Sequence, residues 1–235
     1  MSKSQIIVTG ASRGIGEAIA LELDRRGFAV AGFSRSGASA AGIGYACDMT
    51  DEAAIAAAIA EVAASGPIIG LVNNAGAHES KRSAELSLAE FETTMRLNAS
   101  AVMVSCREVY PHLKAKGDGL IVNIGSFFDK LAVADNLAYC ASKAAVGAIT
   151  RCLAAEWARD GIRVLDVAPG YIETDLNREF LASEKAQAWL KRRVPAGRAG
   201  SAQEVARLVG ALYAENIAFL TGETIYVDGG HGINH

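Results

Sequence analysis

Seven short apolar runs alternate with longer helical patterns along this 235-residue chain, and that alternation restricts the fold more than any single motif does. The runs are residues 6–8, 29–33, 43–47, 68–72, 120–124, 163–167 and 224–227. Helical spacing appears at 15–26, 51–64, 137–159 and 202–214, while 88–116 reads as one long helix or two consecutive ones. Within 15–26, Ile15, Ala18, Ile19 and Leu23 recur at spacings of three and four. Asp51 and Glu52 bring acidic charge to a helix start, where the helix dipole favours it. Strands alternating with helices imply right-handed crossovers and a parallel sheet covered on both faces. The predicted fold class is therefore α/β: a doubly wound parallel sheet of about seven strands, with residues 1–235 as a single domain. In such a sheet ligands bind beyond the carboxyl ends of the strands. The polar residues just after each run are the candidate site lining.

Composition removes several function classes. Net charge is −3, with no basic patch for nucleic acid or an anionic membrane surface. The longest uncharged stretch, 62–78, is interrupted by Pro67, Asn73 and Asn74 and is too short to span a bilayer. The N-terminus runs straight into a short apolar run and a glycine-rich turn, unlike a signal peptide. Cys47, Cys106, Cys140 and Cys152 form no CxxC pair. The expectation is a cytoplasmic protein with reduced thiols and no metal site.

The first run ends in Thr9-Gly10-Ala11-Ser12-Arg13-Gly14-Ile15-Gly16 and a helix follows at once. Such a turn lets backbone approach a pyrophosphate, with the N–H groups of the first helical turn aimed at it. A rival reading uses the same residues. Gly10-Ala11-Ser12-Arg13-Gly14 also fits the G-x-S-x-G elbow of serine hydrolases, with Ser12 as nucleophile and His231 or His235 as base. Chain order opposes it, since only nine residues precede Gly10 and a hydrolase needs earlier strands. The second run ends Gly32-Phe33-Ser34-Arg35 with no carboxylate to receive a ribose 2′-hydroxyl. Arg35, with Arg13 opposite, suits a 2′-phosphate, so NADP(H) is expected over NAD(H). Asp48 reads either as an acceptor for an adenine amino group or as a turn residue before the next helix. Asn73-Asn74-Ala75-Gly76 suits close passage beside a ligand or a plain turn.

Tyr139 and Lys143 stand four residues apart on one helix face. An ammonium beside a phenol favours the phenolate, which fits the pair for proton exchange with an alcohol or carbonyl. Ser126 lies 13 residues before Tyr139, at the carboxyl end of the fifth run, where its hydroxyl could polarise a carbonyl. A second Tyr-x-x-x-Lys, Tyr110 to Lys114, adjoins Pro111 and reads as surface near a helix end.

Thr9 to Gly16, Asp48, Asn73 to Gly76, Asn98, Ser126, Tyr139 with Lys143, Pro169-Gly170 and the late Tyr226-Val227-Asp228-Gly229-Gly230 occur in one order and spacing. In this the chain resembles the short-chain dehydrogenase/reductase family over essentially its whole length. The resemblance implies a Rossmann fold and an NAD(P)-dependent oxidoreductase acting on CH–OH groups. It implies Tyr139 as general acid–base and Lys143 as the ammonium that favours the phenolate and binds the nicotinamide ribose. Ser126 would orient the carbonyl, and Asn98 would hold a water linking Lys143 to solvent. Asn98 is also a weak helix former in a helical stretch. For the cofactor the resemblance points to Gly10, Ser12, Arg13, Gly14, Ile15, Gly16, Ser34, Arg35, Asp48, Met49, Asn74, Ala75, Gly76, Pro169, Gly170, Ile172 and Thr174. The nearest likeness is to 3-oxoacyl-carrier-protein reductases and related bacterial alcohol dehydrogenases. Leu120 and Asp160 stand where carrier-dependent members tend to have basic residues, which favours a free small-molecule ketone or secondary alcohol.

Residues 171–199 are expected to shape the substrate site, with 175–195 as a lid. Candidate lining residues are His78, Phe127, Phe128, Tyr171, Leu176, Phe180 and Trp189. Leu181 adds apolar surface to the lid. Together they suit a substrate with an apolar or aromatic part. The helix faces of 88–116 and 137–159 suit a homo-oligomer, a tetramer or dimer. Two other readings stay open: an acyl-carrier or acyl-CoA reductase, and an NADP(H)-binding regulator without turnover.

Overall fold

The computed structural model describes residues 4–175 and 177–234. β1 (Gln5–Thr9) passes through the glycine turn into α1 (Gly14–Arg25), followed by β2 (Ala29–Ser34) and β3 (Ile43–Ala46). Next come α2 (Glu52–Ser65), β4 (Ile68–Asn73), α3 (Leu88–Met95), α4 (Ala101–Lys116) and β5 (Gly119–Ile124). The long helix α5 (Leu137–Trp157) leads to β6 (Ile162–Pro169). Then follow β7 (Ile172–Glu173), α6 (Arg178–Ala182), α7 (Glu184–Arg193), β8 (Gly200–Ser201), α8 (Ala202–Glu215) and β9 (Thr224–Val227).

Seven of these strands form one sheet in the order β3-β2-β1-β4-β5-β6-β9. Every pairing in it is parallel, as the strand–helix alternation predicts. Strand order reverses between β1 and β4, and a crevice opens at their carboxyl ends. Side chains alternate across the sheet. Ile6 and Val8 pack with Ile19, Leu23 and Val209 of α1 and α8, while Ile7 packs with Ile59, Val109 and Val146 of α2, α4 and α5. Burial on both faces is why the strand sequences read as unbroken apolar runs.

Only eight residues separate β2 from β3, and no helix forms there. The loop instead folds onto the glycine turn: the Ser34 hydroxyl donates to Ala38 O (2.7 Å) and Ala40 N donates to Ala11 O (3.2 Å). β7 and β8 form a separate two-stranded pair that bounds α6 and α7. Leu181, Leu190 and Val194 give this segment a small core of its own.

Residues 88–116 form two helices joined by a π-helical turn, Arg96–Ser100. Pro111 lies inside α4, which runs on to Lys116, so the expected helix end near Tyr110 is corrected. Tyr110 stacks on Trp157 (4.6 Å between centroids) and donates to Asp160 Oδ2 (2.8 Å), while Lys114 Nζ donates to its hydroxyl (3.0 Å). This pair fastens α4 to the end of α5. Tertiary packing has overridden the local tendency of proline to stop a helix.

Candidate active site

The dinucleotide side of the site is built from the glycine turn. Gly10 has φ +69°, and a Cβ on Gly16 would lie 2.2 Å from Gly10 O, so neither position accepts a side chain without strain. No side chain caps α1 at Arg13, whereas Asp51 caps α2 and Ser201 caps α8. The first N–H groups of α1 thus face the crevice without a side-chain partner, an arrangement that fits a phosphate. Ser12 and Arg13 are exposed beside them.

Thr9 sews the crevice together. Its hydroxyl accepts from Asn74 N (2.9 Å) and Ala75 N (3.0 Å), and Asn74 Nδ2 donates to Thr9 O (3.0 Å). Asn74 therefore holds β4 to β1, and a Cβ on Gly10 would approach its Nδ2 to 2.8 Å. Ser34 is buried and turned into its own loop, which leaves Arg35 as the exposed group at the end of β2. Asp48 accepts from Thr50 N (2.9 Å) and Thr50 Oγ1 (2.8 Å). Those bonds, and then the charge of Arg35, hold its carboxyl below the usual carboxylate range. Arg35 and Asp48 therefore share the rim at the β2 and β3 ends. Met49 buries its side chain beside Cys47 (Sγ to Sδ 3.8 Å), so only its backbone faces outward for a ligand.

Pro169 ends β6, and Gly170 N donates to Val227 O (3.0 Å). Ile172 is buried. Thr174 is tied to Asn177 by its N–H (2.8 Å) and reaches across toward Gly14, where a Cβ would meet Thr174 Cγ2 at 3.7 Å. The glycine turn and the segment after β6 thus close on one another, as one extended ligand requires.

The four candidate catalytic residues come together at the carboxyl edge of β4 and β5. Ser126 is 5% exposed and its hydroxyl accepts from Phe128 N (3.3 Å). Lys143 is buried, donates to Ile124 O (2.8 Å) and stands 5.6 Å from the centre of the Tyr139 ring. Asn98 lies in the π-helical turn, a device often found at functional sites. Its Nδ2 donates to Ala77 O (2.8 Å) and Ser142 Oγ (3.1 Å), and Ser142 Oγ donates to Tyr139 O (2.8 Å). A bonded chain therefore runs from Asn98 to the backbone of Tyr139. Sequence reasoning missed Ser142 and Asn136. Asn136 precedes α5 and meets Ser80 Oγ (3.1 Å) and the ring of His78, and an asparagine before a helix is too common to signal this.

Aromatic rings continue from Tyr139 in an unbroken series. His78 lies 4.6 Å from Tyr139 and Phe128 lies 5.7 Å from it. Phe127 then meets Tyr171 (5.2 Å) and His231 (5.1 Å), and Tyr171 meets Trp189 of α7 (5.0 Å). Phe127 and Phe128 are buried, while Phe180 is 71% exposed outside this group. Leu176 lies outside the described residues.

The hydrolase alternative fails on topology. Ser12 follows β1 and His231 follows β9, four strand spacings apart in the sheet. At 4.7–4.9 Å per spacing that is about 19 Å, far beyond a nucleophile–base hydrogen bond. His235 lies outside the described residues.

A family model described as Enoyl-(Acyl carrier protein) reductase matches residues 10–232. The chain belongs to the short-chain dehydrogenase/reductase family. It is 34% identical to gluconate 5-dehydrogenase of Gluconobacter oxydans (strain 621H), covering 98% of this chain and 95% of that one. It is 38% identical to the 3-oxoacyl-(acyl-carrier-protein) reductase FabG of Escherichia coli (strain K12), covering 95% of each. A gluconate 5-dehydrogenase structure from Burkholderia cenocepacia J2315, in complex with NADP and tartrate, superposes with a TM-score of 0.90 at 32% identity. That match covers 100% of this chain and 97% of the other. The Rossmann fold and an oxidoreductase of CH–OH groups follow from this membership. Among the described residues, no helix is long and apolar enough to cross a membrane and no cluster of His, Cys, Asp and Glu could hold a metal. The four cysteines are free thiols.

Proposed function

We propose that the protein is an NADP(H)-dependent oxidoreductase that interconverts a small-molecule ketone and a secondary alcohol, with Tyr139 as its general acid–base. One observation carries this reading: the buried Lys143, anchored on Ile124 O, faces the ring of Tyr139 beside the loop that holds Ser126. An ammonium in that place favours the phenolate and orients it.

The first turn of α1 would hold the pyrophosphate, Arg35 and Arg13 the 2′-phosphate and the Asp48 rim the adenine. Ala75 and Gly76 would flank the adenine ribose, and Pro169, Gly170, Ile172 and Thr174 would frame the nicotinamide. Bound there, the nicotinamide supplies or takes up a hydride. The protein's own groups supply the rest. Ser126 Oγ polarises the carbonyl, and the Tyr139 hydroxyl gives up its proton to the new alkoxide in reduction or receives it in oxidation. Asn98 commits both side-chain atoms to Ala77 and Ser142. A water that refills the proton at Lys143 would therefore rest on the Asn98 backbone, whose carbonyl lies in the π-helical turn.

The aromatic series from His78 to Trp189 favours a substrate with an apolar or aromatic part. The likeness to FabG supports a second reading, reduction of a 3-oxoacyl group on a carrier or on coenzyme A. Against it, Leu120 is buried in the core and Asp160 is paired with Lys114 (3.3 Å), so neither place offers positive charge to an acidic carrier. The expected setting is cytoplasmic, as a homo-oligomer, with residues 171–199 forming the substrate side of a single domain.

The test is NADPH consumption over a panel of aromatic ketones, aliphatic ketones, sugars, steroids and 3-oxoacyl thioesters. Turnover of free ketones that vanishes in Tyr139→Phe supports the proposal. Tight NADPH binding with every carbonyl left untouched would instead mark a regulator.

A further inference from the structure

A row of polar residues, buried at its first three positions, crosses the sheet next to Ile124, whose carbonyl holds Lys143. Asn73, Asn123, Asp166 and Thr224 are successive Cα partners on β4, β5, β6 and β9. They face the α4–α5 layer, where Asn73 meets Cys106 Sγ (3.3 Å) and Asn123 Nδ2 donates to Thr150 Oγ1 (2.9 Å). Asn73 Nδ2 also donates to Asn123 Oδ1 (2.9 Å), while Asn73 Oδ1 has no hydrogen-bond partner among the described residues.

Asp166 is the ionisable member of the row. It is 0% exposed, its Oδ2 accepts from Thr224 Oγ1 (3.2 Å), and its Oδ1 has no hydrogen-bond partner among the described residues. The carboxyl group is wedged behind Gly125, where a Cβ would come within 2.4 Å of Oδ1 and 2.7 Å of Oδ2. Gly125 N donates to Val167 O (2.9 Å), and the same N–H also helps to hold the Asp166 carboxyl down. Gly125 joins the two functional anchors, since Ile124 O holds Lys143 and Ser126 follows. A buried carboxylate with only neutral donors is costly unless a countercharge lies near. Burial pushes this carboxyl up to about 6, and the charge of Lys143 opposes that rise. The other groups around it are Asp129, whose Oδ1 is likewise unpartnered, and Tyr226, which donates to Asp129 Oδ2 (2.8 Å). Lys130 covers the Tyr226 ring at 3.5 Å, and the charge of Arg151 reaches Tyr226 from α5.

We infer that Asp166 is a positioning residue: it shares the charge of Lys143 with Tyr139 and so sets the pH range over which Tyr139 can hold or release a proton. This rests on the reading of Tyr139 and Lys143 given above. A carboxyl held up to about 6 is ionised in the alkaline range where a phenol releases its proton. Its negative charge draws on the field of Lys143 and opposes a second negative charge on Tyr139. Removing it leaves the ammonium facing Tyr139 alone, which favours the phenolate.

Two measurements test this in the full-length protein. The first needs no substrate: an ultraviolet phenolate titration, with the Tyr139→Phe signal subtracted, in otherwise wild-type protein and in Asp166→Asn. The Tyr139 transition should move to lower pH by roughly 0.5–1.5 units in the variant. The second is the pH profile of carbonyl reduction with NADPH, whose alkaline loss should move the same way. Asp166→Ser, which removes the same charge with a smaller side chain, should shift the transition in the same direction and decides the matter if Asp166→Asn does not fold. Unmoved transitions in a folded variant, whatever the change in melting temperature, would make Asp166 a structural residue and overturn the inference. If the wild type reduces no carbonyl, the proposed function falls while the phenolate titration still judges Asp166.

Discussion

Asn98 clamps Ala77 by both of its backbone groups: Nδ2 donates to Ala77 O (2.8 Å) and Oδ1 accepts from Ala77 N (2.9 Å). The side chain imitates a strand partner for the chain that leaves β4. It thereby fixes Ala75 and Gly76 on one side and, through Ser142, the backbone of Tyr139 on the other. Asn98→Ala should cost about 1–3 kcal/mol, because a buried amide and both Ala77 groups lose partners. Thermal unfolding reads that cost. Turnover should fall further than stability explains, and equal turnover at a temperature where both proteins are folded would refute a role in the site.

Tyr139→Phe removes one hydroxyl and leaves the ring packed on His78 and Phe128. If that hydroxyl exchanges the substrate proton, kcat should drop about a hundred- to ten-thousand-fold. NADPH affinity, read by fluorescence, should stay within about threefold, since the phenol is not a phosphate ligand. Retained turnover would remove Tyr139 from the chemistry.

Arg35 is exposed at the end of β2, and Ser34 beside it is turned away into its loop. A charge-assisted bond to a 2′-phosphate is worth about 1.5–3 kcal/mol, so Arg35→Ala should weaken NADPH roughly ten- to a hundredfold. NADH binding should barely change. Equal losses for both dinucleotides would mean that Arg35 reads something other than the phosphate.

Much of this was readable from residue order alone. The seven apolar runs became the seven parallel strands, and Ser126, Tyr139 and Lys143 meet where the carboxyl-edge rule places them. What escaped depends on contacts between distant segments. Pro111 argues locally for a helix end, and burial of Val109 and Leu113 together with the packing of Tyr110 on Trp157 keeps α4 going. Asp166 reads as one polar residue inside an apolar strand. Its meaning appears when strand register sets it between Asn123 and Thr224. The clamp on Ala77 needs the π-helical turn, which Asn98 hints at as a poor helix former but does not specify.

Glu204 sits at the third position of α8, where it completes a capping box with Ser201 and pairs with Arg198 (2.7 Å). The bond to Arg198, and then the Ser201 N–H, hold its carboxyl down at about 2. A lowered folded value means stability that is complete above the unfolded value near 4.5 and is lost as pH falls toward 2. Acid unfolding of the Glu204→Gln variant should therefore show a shallower decline between those values, measured by chemical denaturation at stepped pH. An identical slope would show that the pair adds nothing to folding.

Trp189 is the point at which α7 joins the aromatic series, through Tyr171 (5.0 Å) and His231 (5.7 Å). It is only partly buried, so part of its side chain stays accessible. Burial pushes Tyr171 up and His231 down, so it favours the neutral form of both rings, which suits apolar contact. Trp189→Ala should raise KM for aromatic ketones about tenfold or more, as expected for losing a large stacking surface. KM for small polyols or their ketones should change little, and kcat at saturation should hold, because Tyr139 and Lys143 lie on α5 and not on α7. An equal rise in KM for both substrate classes would show that Trp189 shapes the segment rather than choosing the substrate.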